Sequence, residues 1–72
     1  MAFLLIVLSD HSVGDQVRLL RTVLHLRQID LATISRVTQA QVSAIERGDY
    51  VPLSIERKIL EGLDSLREAK LS

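Results

Sequence analysis

The residue types that carry catalysis and metal binding are sparse in this chain of 72 residues. It has two histidines, His11 and His25, and no cysteine. The histidines lack the spacing that places two metal ligands on one face of a helix. Three scattered glycines, at positions 14, 48 and 62, form no phosphate-binding loop, and no serine lies in a nucleophile turn. We therefore expect no enzymatic activity, no metal and no cofactor.

Composition narrows the class of partner. Nine basic and nine acidic residues cancel, so any nucleic-acid surface depends on local placement of charge. An aromatic content of 3% disfavours single-strand binding by base stacking. The absence of cysteine fits a reducing compartment, and we expect a cytoplasmic protein.

The elements that must position any functional residue are predicted to be helices. Ser12 and Asp15 have the spacing of a capping box at a helix start. Apolar residues at helical spacing then predict helices over Val13–Leu26, Gln28–Ser35, Gln39–Arg47 and Leu53–Lys70. Gly62 and the pair after it, Asp64 and Ser65, are expected to break the last helix in two. The predicted fold is a small all-α bundle of four or five helices containing a helix-turn-helix.

The first eight residues are apolar throughout. This run is too short to span a bilayer and lacks the basic flank and cleavage site of a signal peptide. Its length and its Phe, Ile and Val content favour a short β-strand that pairs with a second copy of itself; a flexible apolar tail is the alternative. We divide the chain into an N-terminal segment, 1–12, and a helix-turn-helix domain, 13–72.

Two short helices joined by a tight turn have the geometry of a helix-turn-helix, whose second helix enters the major groove. The residues in this segment resemble the XRE/Cro family of phage repressors and bacterial regulators. The matching positions are Gln28, Leu31, Ala32, Val37, Thr38, Val42, Ser43, Ile45, Glu46, Gly48 and Pro52. Val17-Arg18-x-Leu20-Arg21 is similar to the first helix of that family, and Lys58 to Leu63 to its fourth.

The resemblance implies a role for each polar position around the second motif helix. Base contacts fall on Gln39, Ala40, Gln41 and Ala44, since Gln can pair with adenine and Ala can touch a thymine methyl. Contacts to the DNA backbone fall on Gln28, Arg36, Thr38, Ser43 and Arg47. Arg21 and Glu46 correspond to an internal ion pair of the family.

The chain departs from the family pattern at four positions. His25 and Arg36 stand where the family usually has glycine, which implies strained turns or a different backbone path. Arg27 replaces the usual capping threonine before the first motif helix. Ser35 places a hydroxyl where an apolar core residue is expected, with Ile34 before it.

Between residues 13 and 52, arginines exceed acids by a single charge, which predicts weak DNA binding by one domain. We therefore expect a homodimer on a palindromic operator. Its interface is expected at Leu19, Val23 and the N-terminal residues Phe3, Leu4, Leu5, Ile6, Val7 and Leu8. The resulting hypothesis is a sequence-specific transcriptional regulator. The alternative is an antitoxin-like or adaptor protein that uses the same scaffold to bind a protein partner such as a toxin.

Overall fold

The structure, a computed structural model, describes the backbone of residues 12–71 and the side chains of residues 12–69. Four helices follow one another: α1 (Val13–Val23), α2 (Gln28–Ser35), α3 (Gln39–Glu46) and α4 (Leu53–Leu71). The predicted all-α fold is confirmed for this part of the chain. The predicted N-terminal strand lies outside the described residues. Within residues 12–71, no helix is long and apolar enough to cross a membrane.

The first helix begins where the sequence predicts and ends earlier. The Ser12 hydroxyl accepts a hydrogen bond from the Asp15 backbone N–H at 3.1 Å, which satisfies one free donor of the first turn. α1 ends at Val23 and not at Leu26, because His25 adopts a left-handed conformation with φ of 59°. The N–H of Leu26 then returns to the carbonyl of Arg21.

The same turn ends each of the first three helices. Arg36 has φ of 61° after α2, and Gly48 has φ of 80° after α3. In each case the next residue donates its N–H back to a carbonyl of the last helical turn: Val37 to Ala32, and Asp49 to Ala44. These bonds satisfy carbonyls that the helix itself leaves free.

The core is formed where all four helices meet. Its largest fully buried members, with at most 2% of their surface exposed, are Val17, Leu31, Val42, Ile59 and Leu63. Leu24, Ala32 and Ile45 complete it.

The expected break in the last helix is wrong, because α4 runs without interruption through Gly62. A Cβ at Gly62 would lie 2.2 Å from the Ser35 Oγ. The glycine therefore allows α2 to pack closely against α4.

Candidate nucleic-acid interface

The two central helices and the turn at 36–38 form the motif that the sequence predicts. α3 buries Val42, Ile45 and Glu46 against the rest of the domain. Its opposite side carries Gln39 and Ala40, which are exposed, with Ser43 and Ala44, which are half-buried. These residues have the helical spacing of one face, so a narrow outward surface of small and polar side chains runs along α3.

A reciprocal cap fixes the start of this helix. The Thr38 hydroxyl accepts from the Gln41 backbone N–H at 3.1 Å, and the Gln41 Oε1 accepts from the Thr38 backbone N–H at 3.0 Å. A bidentate contact with adenine needs both ends of a glutamine amide, and the oxygen of Gln41 is already engaged. Gln39 is exposed, and its side chain makes no hydrogen bond to another described residue.

An ion pair joins the end of α3 to α1. Arg21 donates from Nε and Nη2 to the two oxygens of Glu46, at 2.7 and 3.0 Å. Hydrogen bonding to Glu46 raises the pKa of Arg21. The side chains are only 17% and 5% exposed, and Arg21 also donates to the carbonyl of Leu26 at 2.8 Å. The pair that the resemblance implies is therefore present, well shielded from solvent and linked to the turn after α1.

Gln28 belongs to the same network. Its Nε2 donates to the Glu46 Oε1 at 3.2 Å, which turns the amide inward from the start of α2. The structure thus brings Gln28 to the ion pair, whereas the sequence places it among backbone contacts to DNA. Removing Arg21 would leave the Glu46 carboxylate without its cation, and breaking a buried ion pair in this way typically costs about 3–5 kcal/mol.

The start of α2 lacks a side-chain cap from Arg27, as the sequence predicts, and a carboxylate replaces it. Asp30 accepts from the Arg27 backbone N–H at 2.9 Å and from its Nε and Nη2 at 3.0 and 2.9 Å. Hydrogen bonding from the Arg27 side chain, reinforced by the backbone N–H, lowers the pKa of Asp30 to about 2. The carboxylate therefore stays ionised through the physiological range.

Most arginines near the motif are paired within the chain. Arg18 pairs with Asp15 at 3.1 Å, and Arg47 pairs with Asp49 at 3.0 Å. Arg47 also donates to the Ser43 hydroxyl. Arg36 is exposed and makes no ion pair with another described residue. The local positive charge is thus smaller than the number of arginines indicates.

Of the expected dimer interface, the structure describes two residues. Leu19 and Val23 lie on α1, and they are 45% and 61% exposed. Phe3 to Leu8 lie outside the described residues. The exposed pair shows that α1 carries apolar surface that the domain itself does not cover.

Sequence reasoning missed the roles of Asp30 and Asp49. Asp30 follows Arg27 by three residues, the spacing between a helix N-cap and position N3, so the spacing is a usable signal. Asp49 reaches Arg47 only through the turn at Gly48, and no helical spacing indicates that contact.

Comparisons with family models, with curated proteins and with solved structures found no match for this chain. Among the described residues, no group of three or more histidine or acidic side chains could hold a metal ion. The features that indicate a function are therefore the α2–turn–α3 geometry and the side chains on it.

Proposed function

We propose that this protein is a sequence-specific double-stranded DNA-binding regulator of the XRE/Cro type that acts as a homodimer. The observation that carries the proposal is the outward face of α3, where Gln39 and Ala40 are exposed beside Ala44. A helix presented after a tight turn fits the major groove of B-DNA. By occupying an operator, the dimer would block or recruit RNA polymerase, with no chemistry of its own.

The contacts divide by chemistry. The Gln39 amide offers one donor and one acceptor to the N6 and N7 of adenine, and the methyls of Ala40 and Ala44 suit the C5-methyl of thymine. Arg36, which has no ion-pair partner among the described residues, supplies a cation for a phosphate. Thr38, Ser43 and Arg47 can contribute further backbone contacts once their internal hydrogen bonds exchange. Gln41 and Gln28 serve mainly to hold the motif together.

The dimer follows from electrostatics and from unpartnered apolar surface. Most of the arginines near the motif are paired internally, so one domain neutralises few phosphates and binds weakly. Two domains on half-sites about one helical turn apart add their contacts. Leu19 and Val23, together with residues 1–8, supply the candidate interface.

The second candidate is an antitoxin-like or adaptor protein, in which the same scaffold binds a protein partner. The pairing of the arginines favours this alternative, because such a surface attracts DNA weakly. The exposed apolar side chains of α1 would then contact that partner.

The test compares two glutamines two positions apart on the same helix. An operator is first selected from random duplex DNA, and Gln39→Ala is expected to weaken operator binding by about 1–3 kcal/mol while relaxing the preference at one base pair per half-site. Gln41→Ala is expected to lower stability through its lost cap and to keep the base preference. Failure to select any duplex would overturn the proposal. Unchanged affinity and base preference in Gln39→Ala would show that α3 is not the reading helix.

A further inference from the structure

The end of α3 carries an arginine, Arg47, whose three side-chain nitrogens each contact a partner within the chain. Arg47 donates from Nε to the Asp49 Oδ2 at 3.0 Å, and its Nη2 lies 3.0 Å from the same oxygen. Its Nη1 donates to the Ser43 hydroxyl. Both side chains of the ion pair are 59% exposed. An exposed pair of this kind contributes little to stability, so it can exchange for another partner.

The pair lies on the side of α3 that is proposed to face DNA. Arg47 has helical dihedrals, φ of −82° and ψ of −6°, and so continues the path of α3 by one residue. It follows Ala40 by seven residues, which is two helical turns, and therefore lies on the same face. The left-handed turn at Gly48 then brings Asp49 back, where its N–H bonds the carbonyl of Ala44 at 2.9 Å.

We infer that Asp49 limits how strongly this domain binds the DNA backbone, by holding Arg47 and by placing a negative charge at the end of α3. The inference rests on the proposed function. A guanidinium offers the same paired donors to a carboxylate as to a phosphate, so the two compete for Arg47. A phosphate that approaches the pair is also repelled by the Asp49 carboxylate. Base reading by Gln39 is separate, because it does not use Arg47.

The decisive variant is Asp49→Asn, which keeps the shape of the side chain and removes its charge. We expect several-fold tighter binding to random-sequence duplex and to the selected operator at low salt. The slope of log affinity against log salt should steepen by about 0.9 for each protomer, the value for one added phosphate contact. The base preference should stay the same.

A matched control separates this effect from a change in net charge. Asp64→Asn removes the same charge from another arginine pair, Asp64 with Arg67 at 3.1 Å, in the second half of α4 and outside the motif. It is expected to leave the salt slope unchanged. Adding Arg47→Ala to Asp49→Asn should remove most of the gain and leave only the part that comes from relief of repulsion by the Asp49 carboxylate. Thermal unfolding verifies that each variant is folded.

The outcomes distinguish the inference from the function on which it rests. If the wild-type chain and all variants bind no duplex, the proposed function fails and the inference fails with it. If the chain binds an operator but Asp49→Asn behaves like Asp64→Asn, the inference alone is overturned. A gain that persists undiminished after Arg47→Ala would likewise overturn the release of Arg47 as its cause.

Discussion

His25 and Arg36 show how single residues carry conformational cost in this domain. Both adopt left-handed backbone angles, at positions where the resembled family usually has glycine. A side chain in this region costs on the order of 1 kcal/mol, because its Cβ approaches the following carbonyl. The turns keep their hydrogen bonds despite this cost, so of the two outcomes that the sequence leaves open the structure shows strain and not a different path.

His25→Gly is therefore expected to raise the free energy of unfolding by about 0.5–1 kcal/mol, since glycine adopts this conformation without a Cβ contact. Gly48→Ala is the reverse substitution, from glycine to a residue with a Cβ. Gly48 has φ of 80°, and no atom lies within 4 Å of the position that the added Cβ would take. The Gly48→Ala substitution should lower the free energy of unfolding by a similar amount, because the left-handed backbone conformation is unfavourable for alanine and no steric clash is added. Urea unfolding of both variants measures these changes. A destabilised His25→Gly protein would show that the imidazole makes a contribution larger than the strain.

Part of the residue-scale description could be predicted from the sequence. The positions of the turns follow from comparing the residue types with the pattern of the resembled family. The same comparison predicts that the Ser35 hydroxyl takes a core position, and Ser35 is indeed buried while Ile34 is 42% exposed. The Arg47–Asp49 contact could not be predicted, because it depends on the direction the chain takes after Gly48. Likewise, no local signal indicates that Gln28 turns inward to Glu46, since the two residues meet only when α2 packs beside α3.

At the scale of helices, α2 and α4 approach each other closely at Ser35 and Gly62. Ser35 is 5% exposed, and its Oγ is buried without a hydrogen-bond partner among the described residues. A buried, unpaired hydroxyl costs about 1–3 kcal/mol relative to a paired one. The absence of a side chain at Gly62 is what gives this hydroxyl its space.

Gly62→Ala is expected to destabilise the domain by about 1–3 kcal/mol, because overpacking outweighs the gain in helix propensity. Ser35→Ala should raise stability by about 1 kcal/mol. In the double variant most of the clash is removed, since the closest remaining side-chain atom, the Ser35 Cβ, is 3.2 Å from the added Cβ. Denaturant unfolding of the wild type, the two single variants and the double variant should therefore show that the two changes in unfolding free energy are strongly non-additive. Strictly additive changes would argue against direct contact between these positions.

The limits of the helices illustrate what periodicity can and cannot predict. The sequence pattern predicts the observed ends of α2, because Gln28 and Ser35 lie at the two ends of a short run that contains core residues. The end of α1 was placed too late, since Leu24 and Leu26 continue the apolar pattern after the backbone has left the helix. Gly62 is expected from the sequence to interrupt the last helix. A glycine inside a helix can instead mark a position where another helix packs closely. Distinguishing these cases requires knowledge of the neighbouring helix.

At the scale of the whole molecule, the pairing of the arginines and the exposed apolar surface both favour association of two copies of the domain. Asp15, Glu46, Asp30 and Asp49 each hold one arginine of the segment 12–52. Under the proposed function, such a domain gains little affinity for DNA from phosphate neutralisation alone, so tight binding requires a second copy of the domain. The exposed Leu19 and Val23 leave apolar surface on α1 for a further contact, and burying each such side chain contributes about 1.5–3 kcal/mol.

Deleting residues 1–8 is expected to convert a dimer into a folded monomer. The apolar run has the composition of a strand, and the described remainder of the chain is helical and offers it no strand partner. Pairing two copies would satisfy its backbone groups and supply the two-fold symmetry that a palindromic operator requires. The truncated protein should keep the helical circular dichroism of α1 to α4 and lose most operator affinity. Sedimentation measures the mass of the truncated protein. The same measurement is made on a companion variant, Leu19→Ser/Val23→Ser in the full chain. A truncated protein that remains a dimer of unchanged stability would place the interface elsewhere, with Leu66 on α4 as the next position to test.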